Sequence, residues 1–191
     1  MPRIAQSLVN KSSLKFYELQ FLNPTPTSVT LNQTAQLHNP SIFTPTLDSF
    51  TAGLYLVTNG QYSSDQFTSI QFPTIHAQHP DTNVTTLNQV LTITDVNLLG
   101  DYAIQVISMP NVTTALVGST KLHEGALPVT SIKYNSSTTY AALNGLQGFN
   151  TENLKLDSKG NLIGTAYVPN PSVMTVEMVR FPIIPVLLHG C

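Results

Sequence analysis

The chain has 191 residues, 41% of them apolar and 9% charged, with a net charge of −2. That length suits one large domain or one and a half small ones, and the apolar share argues against disorder. The eight basic residues are scattered, so nucleic acid binding has no electrostatic support. Charged residues usually make up about 25% of a chain. Here Thr, Ser and Asn carry the polar surface instead, which suits pleated, half-buried strands.

Pro2 to Val9 places Ile4, Leu8 and Val9 on one side and predicts a short helix. Leu14 to Leu22 reads as a strand with Tyr17, Leu19 and Phe21 facing one way. Asn23-Pro24 ends it, because proline gives no ladder donor. Val29, Leu31, Ala35 and Leu37 share a parity, with Gln33 the polar exception, so a second strand runs to His38. Asn39-Pro40 interrupts that strand, since pre-proline residues are pushed to extended geometry. Phe50, Ala52, Leu54 and Leu56 alternate, and Asn59-Gly60 marks a turn. Phe67 to Phe72 reads as a strand, Ile75 to Asn83 as a loop, and Val84 to Thr94 as another strand. Over Asp95 to Ile107 the apolar spacing turns helical, with Asp95 as cap: one main amphipathic helix. Val112 to Gly118 and Pro128 to Tyr134 return to strand character. Leu143-Asn144-Gly145-Leu146 reads as a turn. Leu154 to Leu156, Leu162 to Val168 and Val173 to Met178 are the last strands. Many short strands with regular turn signals predict an all-β fold, an antiparallel β-sandwich of immunoglobulin or fibronectin type.

Two stretches echo each other. Ser28 to Leu47 and Lys159 to Met178 each hold an alternating run, Thr-Ala, an Asn-Pro-Ser and a resumed strand. The second Asn-Pro is Asn170-Pro171. The echo predicts a first sandwich over residues 1–134 and, from 135 to 191, the start of a second, incomplete one. Its open strands would promote self-association, and removal of Asn150 to Cys191 would improve behaviour.

Few residues point to chemistry. His76, His79 and Asp81 are ligand types close together, but a metal site needs a further ligand, and a solvated loop is the better reading. No Gly-x-Ser-x-Gly, phosphate-binding glycine loop or dinucleotide fingerprint is present. Catalytic residues, cofactors and a small-molecule ligand are not expected. Asn10, Asn32, Asn83, Asn111 and Asn135 head Asn-x-Ser/Thr sequons, glycan acceptors if the chain enters the secretory route. Cys191 stands alone, so no intrachain disulfide forms. Neither a signal peptide nor a membrane span is visible; Phe181 to Leu188 is apolar but short and broken by Pro182 and Pro185.

Together, the Asn-Pro-Ser echoes, Ile4-Ala5-Gln6, Gln89 to Asp95 and Leu143-Asn144-Gly145 resemble a fungal family, domain of unknown function 3712, over about Pro2 to Met178. That family is similar to late-embryogenesis-abundant group-two (water stress and hypersensitive response) domains, β-sandwiches with an Asn-Pro motif after an early strand. Asn23-Pro24 and Asn39-Pro40 are the candidates for it. The resemblance implies a vacuolar-membrane protein with tandem sandwich domains on the lumenal side, in which this module has a structural or interaction role with a protein or membrane-lipid partner. A secreted ligand- or carbohydrate-binding module is the alternative.

Overall fold

A computed structural model describes residues 2–176. Cys191, the apolar run Phe181 to Leu188 and the end of the last expected strand lie outside the described residues. Helix α1 (Pro2–Lys11) leads into β1 (Ser13–Leu22) and β2 (Ser28–His38). Next come β3 (Thr46–Leu47), β4 (Phe50–Thr58), β5 (Gln61–Tyr62), β6 (Thr68–Phe72), β7 (Ile75–His76) and β8 (Asp81–Thr92). Helix α2 (Val96–Ser108), β9 (Asn111–His123) and β10 (Thr130–Ala141) precede a 3-10 turn, Asn144–Leu146. The hairpin of β11 (Asn150–Leu156) and β12 (Leu162–Tyr167) and a short β13 (Met174–Val176) follow.

One sheet has the order β13-β1-β2-β8. In the other, β9 pairs with β10 on one edge and with β4 and β3, end to end, on the other; β5 and β6 extend β4, and β7 extends β3. Almost every pairing is antiparallel; β1 with β13 is parallel. The inward residues of both sheets make one core. Leu31, Ala35, Leu37, Val84 and Leu91 come from the first, and Phe50, Ala52, Leu54, Leu116 and Ile132 from the second. The strict alternation of β2 and β4 produces this, since every second side chain points one way. Where β4 and β9 press closest, a Cβ on Gly118 would stand 2.7 Å from the Thr51 carbonyl oxygen, so only glycine fits.

Helix α2 covers the region between the sheets with Tyr102 and Val106. Asp95 caps it as the sequence predicts, its carboxylate accepting from the amides of Asn97 and Leu98 at 2.9 and 3.0 Å. The Tyr102 ring stacks on Phe67, with centroids 5.1 Å apart. Among the described residues, no helix is long and apolar enough to cross a membrane.

Three expectations are corrected. The ladder between β1 and β2 slips between Phe16 and Glu18, so the parity of β1 changes there. Leu14, Phe16 and Leu19 are buried, and Tyr17 points to solvent at 49% exposure. Ile75 to Asn83 is not wholly loop, because β7 and the start of β8 both find partners. The boundary expected between residues 134 and 135 falls inside β10, where Tyr134 opposes Gly118 and Asn135 opposes Val117. The polar run Asn135-Ser136-Ser137 stays in the strand because β9 offers partners along its whole length. Past the hairpin the chain returns to the first sheet: β13 pairs with Leu19 to Phe21, and Met174 is 2% exposed in the core.

Candidate functional site

The interior of the sandwich holds a polar cluster built on two tyrosines. The hydroxyls of Tyr102 and Tyr140 lie 3.0 Å apart, Thr114 Oγ1 donates to Tyr140 at 3.5 Å, and the Tyr102 hydroxyl reaches Met174 Sδ at 3.7 Å. Burial pushes both phenols up, and the neighbouring Tyr140 raises Tyr102 further. The gap beside them measures about 10 Å³. Ligand pockets occupy about 300–1,000 Å³; at this far smaller size the cluster serves to join α2, the second sheet and β13. An open groove of about 290 Å³ runs between Pro73 to His76 and Thr82 to Thr85, and its rim belongs to the end described next.

That end is where the ligand-type residues gather. β2 finishes there, β8 starts there, β3 and β7 pair there, and β9 hands over to β10. The turn from β2 to β3 is a hydrogen-bonded knot. Asn39 Nδ2 donates to the Phe43 carbonyl at 2.7 Å, and Asn39 Oδ1 accepts from the Ser41 amide at 3.1 Å. Ser41 Oγ accepts from the Phe43 amide at 3.1 Å and donates to the Phe43 carbonyl at 3.3 Å. The Asn39 amide itself donates to the Pro80 carbonyl at 2.7 Å, which fastens the knot to the loop before β8. The knot leaves Ile42 84% and Phe43 45% exposed at its tip. The turn from β9 to β10 adds Leu127 at 46% and Val129 at 54%.

Four histidines lie at the same end. His38 Nδ1 lies 2.9 Å from Asp81 Oδ1, His76 Nδ1 lies 2.9 Å from Thr46 Oγ1, and His79 Nδ1 lies 3.1 Å from the Asn39 carbonyl. His123 Nε2 stands 2.9 Å from Asp48 Oδ1 but off the line of a hydrogen bond. The Nε2 of His123 and the Oε2 of Glu124 are each shut off from solvent without a hydrogen-bond partner. The register sets His76, Thr46 and His123 in one row across β7, β3 and β9. His76, His79 and Asp81 therefore turn to three different partners, and no group of three such side chains among the described residues could hold a metal ion.

The other sequence-predicted positions scatter. Asn170 repeats the Asn39 knot, donating to the Met174 carbonyl at 2.7 Å and accepting from the Ser172 amide at 3.0 Å. Asn23 sits at φ 48° in the turn between β1 and β2, ahead of Pro24. Of the sequon asparagines, Asn10, Asn83, Asn111 and Asn135 are exposed and Asn32 is half-buried. Asn10 accepts from Gln6 at 2.8 Å, and Asn135 from the Tyr62 hydroxyl at 2.7 Å. Asn32 is engaged at both ends, donating to Gln20 Oε1 at 3.0 Å and accepting from the Asn88 amide at 2.7 Å. His38 and His123, which sequence reading passed over, join the site because the ladders bring their strand ends to the same edge.

Among solved structures, the chain is similar to a protein from Archaeoglobus fulgidus at 9% identity, covering 68% of this chain and 95% of that one with a TM-score of 0.33. It is similar to AT1g01470 from Arabidopsis thaliana at 15% identity, covering 68% and 80% with a TM-score of 0.36. It is also similar to At2g46140.1, named as a candidate late embryogenesis abundant (LEA) protein, at 9% identity, covering 74% and 79% with a TM-score of 0.33. No curated protein matches the chain. The family described as "Protein of unknown function (DUF3712)" matches residues 65–183, which is more than half of the sequence, and the chain belongs to that family.

Proposed function

We propose that this chain is a non-catalytic β-sandwich module, of immunoglobulin or fibronectin type, in a fungal vacuolar or endomembrane-lumen protein. It works by contact with a protein or a lipid surface. The observation that carries this reading is the loop end, where Ile42, Phe43, Leu127 and Val129 stand exposed on tied-down turns. Exposed apolar side chains on a rigid support suit an interface. The histidines around them each face a single partner and do not converge on one another, which favours contact over turnover. The copied knot at Asn170 supports a further part of the reading: Lys159 to Met178 repeats the strand, Asn-Pro-Ser turn and resumed strand of Ser28 to Leu47.

The test of the lumenal setting uses the parent protein expressed in yeast with a tag. The expected result is fractionation with vacuolar or other endomembranes and faster migration after enzymatic removal of N-glycans. Cytosolic fractionation with unchanged migration would overturn it.

A further inference from the structure

We infer that the outer edge of β10 is a docking site for β10 of a second copy of this chain, and that α1 guards it through Gln6. The inference rests on the interaction-module reading and names a partner for it, on a different surface from the loop end.

Strand β10 runs for twelve residues against β9 with no slip in register, from Thr130 opposite Leu122 to Ala141 opposite Asn111. In an antiparallel ladder, alternate residues turn their amide and carbonyl away from the partner strand. Lys133 is one of these. Its carbonyl accepts from Gln6 Nε2 at 2.7 Å, and its amide donates to Gln6 Oε1 at 2.9 Å. One side-chain amide thus makes the two bonds that a residue of a neighbouring strand would make. Gln6 Nε2 also donates to Asn10 Oδ1 at 2.8 Å, which orients it. Asn135, Ser137 and Thr139 share the parity of Lys133, and among the described residues no strand pairs with them on that side.

Open edges are ordinarily blunted by a bulge, a charge, a proline or short length. The edges at β8, β6 and β7 follow this rule. β8 is irregular opposite Leu31 and Gln33 and carries Asp81, while β6 and β7 have five and two residues. From Tyr134 to Ala141, β10 has no charge, no proline and no irregularity. Its one charged residue, Lys133, is the one that Gln6 holds. Two β10 strands set antiparallel about Ser137 place Asn135 opposite Thr139 and Lys133 opposite Ala141. No like charges meet, and every outward amide from Lys133 to Ala141 finds a carbonyl. Such a pair closes on a two-fold axis and stops at two copies. With α1 in place the ladder ends at Asn135, because Gln6 occupies Lys133. Ser12 alone separates α1 from β1, and α1 is held by Gln6 and by the partly buried Ala5 and Val9. A helix of ten residues has little stability of its own, so α1 opens while the sheets stay closed.

Hydrogen exchange on the full chain tests the guard. The Lys133 amide should exchange together with the amides of α1, and well before those of Ile132 and Tyr134, which face β9. Light scattering tests the docking, in the full chain carrying Leu156→Ser and Leu162→Ser so that the hairpin of β11 and β12 does not contribute. Gln6→Ala in that background should form a dimer whose share rises with concentration. Gln6→Glu keeps the acceptor for the Lys133 amide and loses the donor, so it should fall between. Ser137→Pro added to Gln6→Ala should restore the monomer, because proline removes an outward donor and leaves the bonds to β9 intact. A Lys133 amide as slow as that of Tyr134, or a Gln6→Ala chain that loses its strand circular dichroism, would overturn the guard, since α1 would then be part of the closed fold. A Gln6→Ala chain that is monomeric at every concentration, or a dimer that Ser137→Pro leaves in place, would overturn the docking. Each of these leaves the module reading standing; that reading fails on a different result, turnover of a substrate.

Discussion

Asn39 and Asn170 tie the same knot. Each donates its side-chain amide to a carbonyl four residues on, at Phe43 and at Met174, both at 2.7 Å. Each accepts from the serine two residues on, whose hydroxyl takes the amide of Phe43 or Met174 at 3.1 Å. The shared Asn-Pro-Ser explains it. Proline fixes φ and has no amide to satisfy, and the asparagine and serine side chains supply the partners that a strand would otherwise give.

The first knot is the more buried, with Asn39 only 7% exposed. Asn39→Ala should therefore destabilise the fold by about 1–3 kcal/mol, because the Phe43 carbonyl and the Ser41 amide lose partners. Asn39→Asp keeps the acceptor for Ser41 and loses the donor, so it should fall between. Calorimetry reads this as a fall in Tm of about 2–4 °C per kcal/mol in a chain of this size. Asn170→Ala, at an exposed position, should move Tm less.

Much of this was legible in the residues themselves. The alternation of β2 and β4 and the carboxylate cap of α2 are local patterns, and the Asn-Pro-Ser echo is a local hydrogen-bond instruction that the fold executes twice. What escaped sequence reading is non-local. The slip at Tyr17 depends on how β1 registers against β2. β10 runs on through Asn135-Ser136-Ser137 only because β9 lies beside it. The histidine end is assembled by ladders that join residues far apart in the chain, such as His38 with Asp81. No spacing along the sequence announces it.

Alkaline pH should unfold the protein through its buried phenols. Burial pushes Tyr134 up to about 12 and raises Tyr102 and Tyr140 as well. The unfolded chain ionises tyrosine near about 10. The folded state thus holds extra protons above that pH, and their stabilising contribution is complete below about pH 10 and lost as the pH climbs toward about 12. Absorbance at the phenolate band should show these tyrosines ionising together with loss of the strand circular-dichroism signal. Ionisation of all the tyrosines with the fold intact would contradict this.

Glycan occupancy in the secreted or lumenal parent should follow side-chain freedom. Asn83 and Asn111 are exposed, whereas the Asn32 amide is bonded on both sides in the middle strand of the first sheet. Peptide mass spectrometry should find glycan at Asn83 or Asn111 and none at Asn32. A glycan at Asn32 would require β2 to be modified before its ladder closes.

The segment after Phe149 should behave as two parts. Every residue of β11 and β12 is exposed, among them Leu154, Leu156, Leu162 and Tyr167, and among the described residues the two strands pair only with each other. A lone two-stranded hairpin is marginal in water, and among the described residues neither of its outer edges has a strand partner. β13, in contrast, completes the first sheet and buries Met174 against Tyr102. Removing Asn150 onward takes both parts away, so the expected improvement from that truncation gives way to a more specific outcome. Leu156→Ser with Leu162→Ser should lower the mass seen by light scattering and leave stability within about 0.5 kcal/mol, since both side chains are solvated. Met174→Ala should leave association unchanged and cost about 2–5 kcal/mol by opening a cavity beside the tyrosine pair. A serine pair that unfolds the chain, or a Met174→Ala protein with an unshifted melt, would mean that the hairpin belongs to the core and β13 does not.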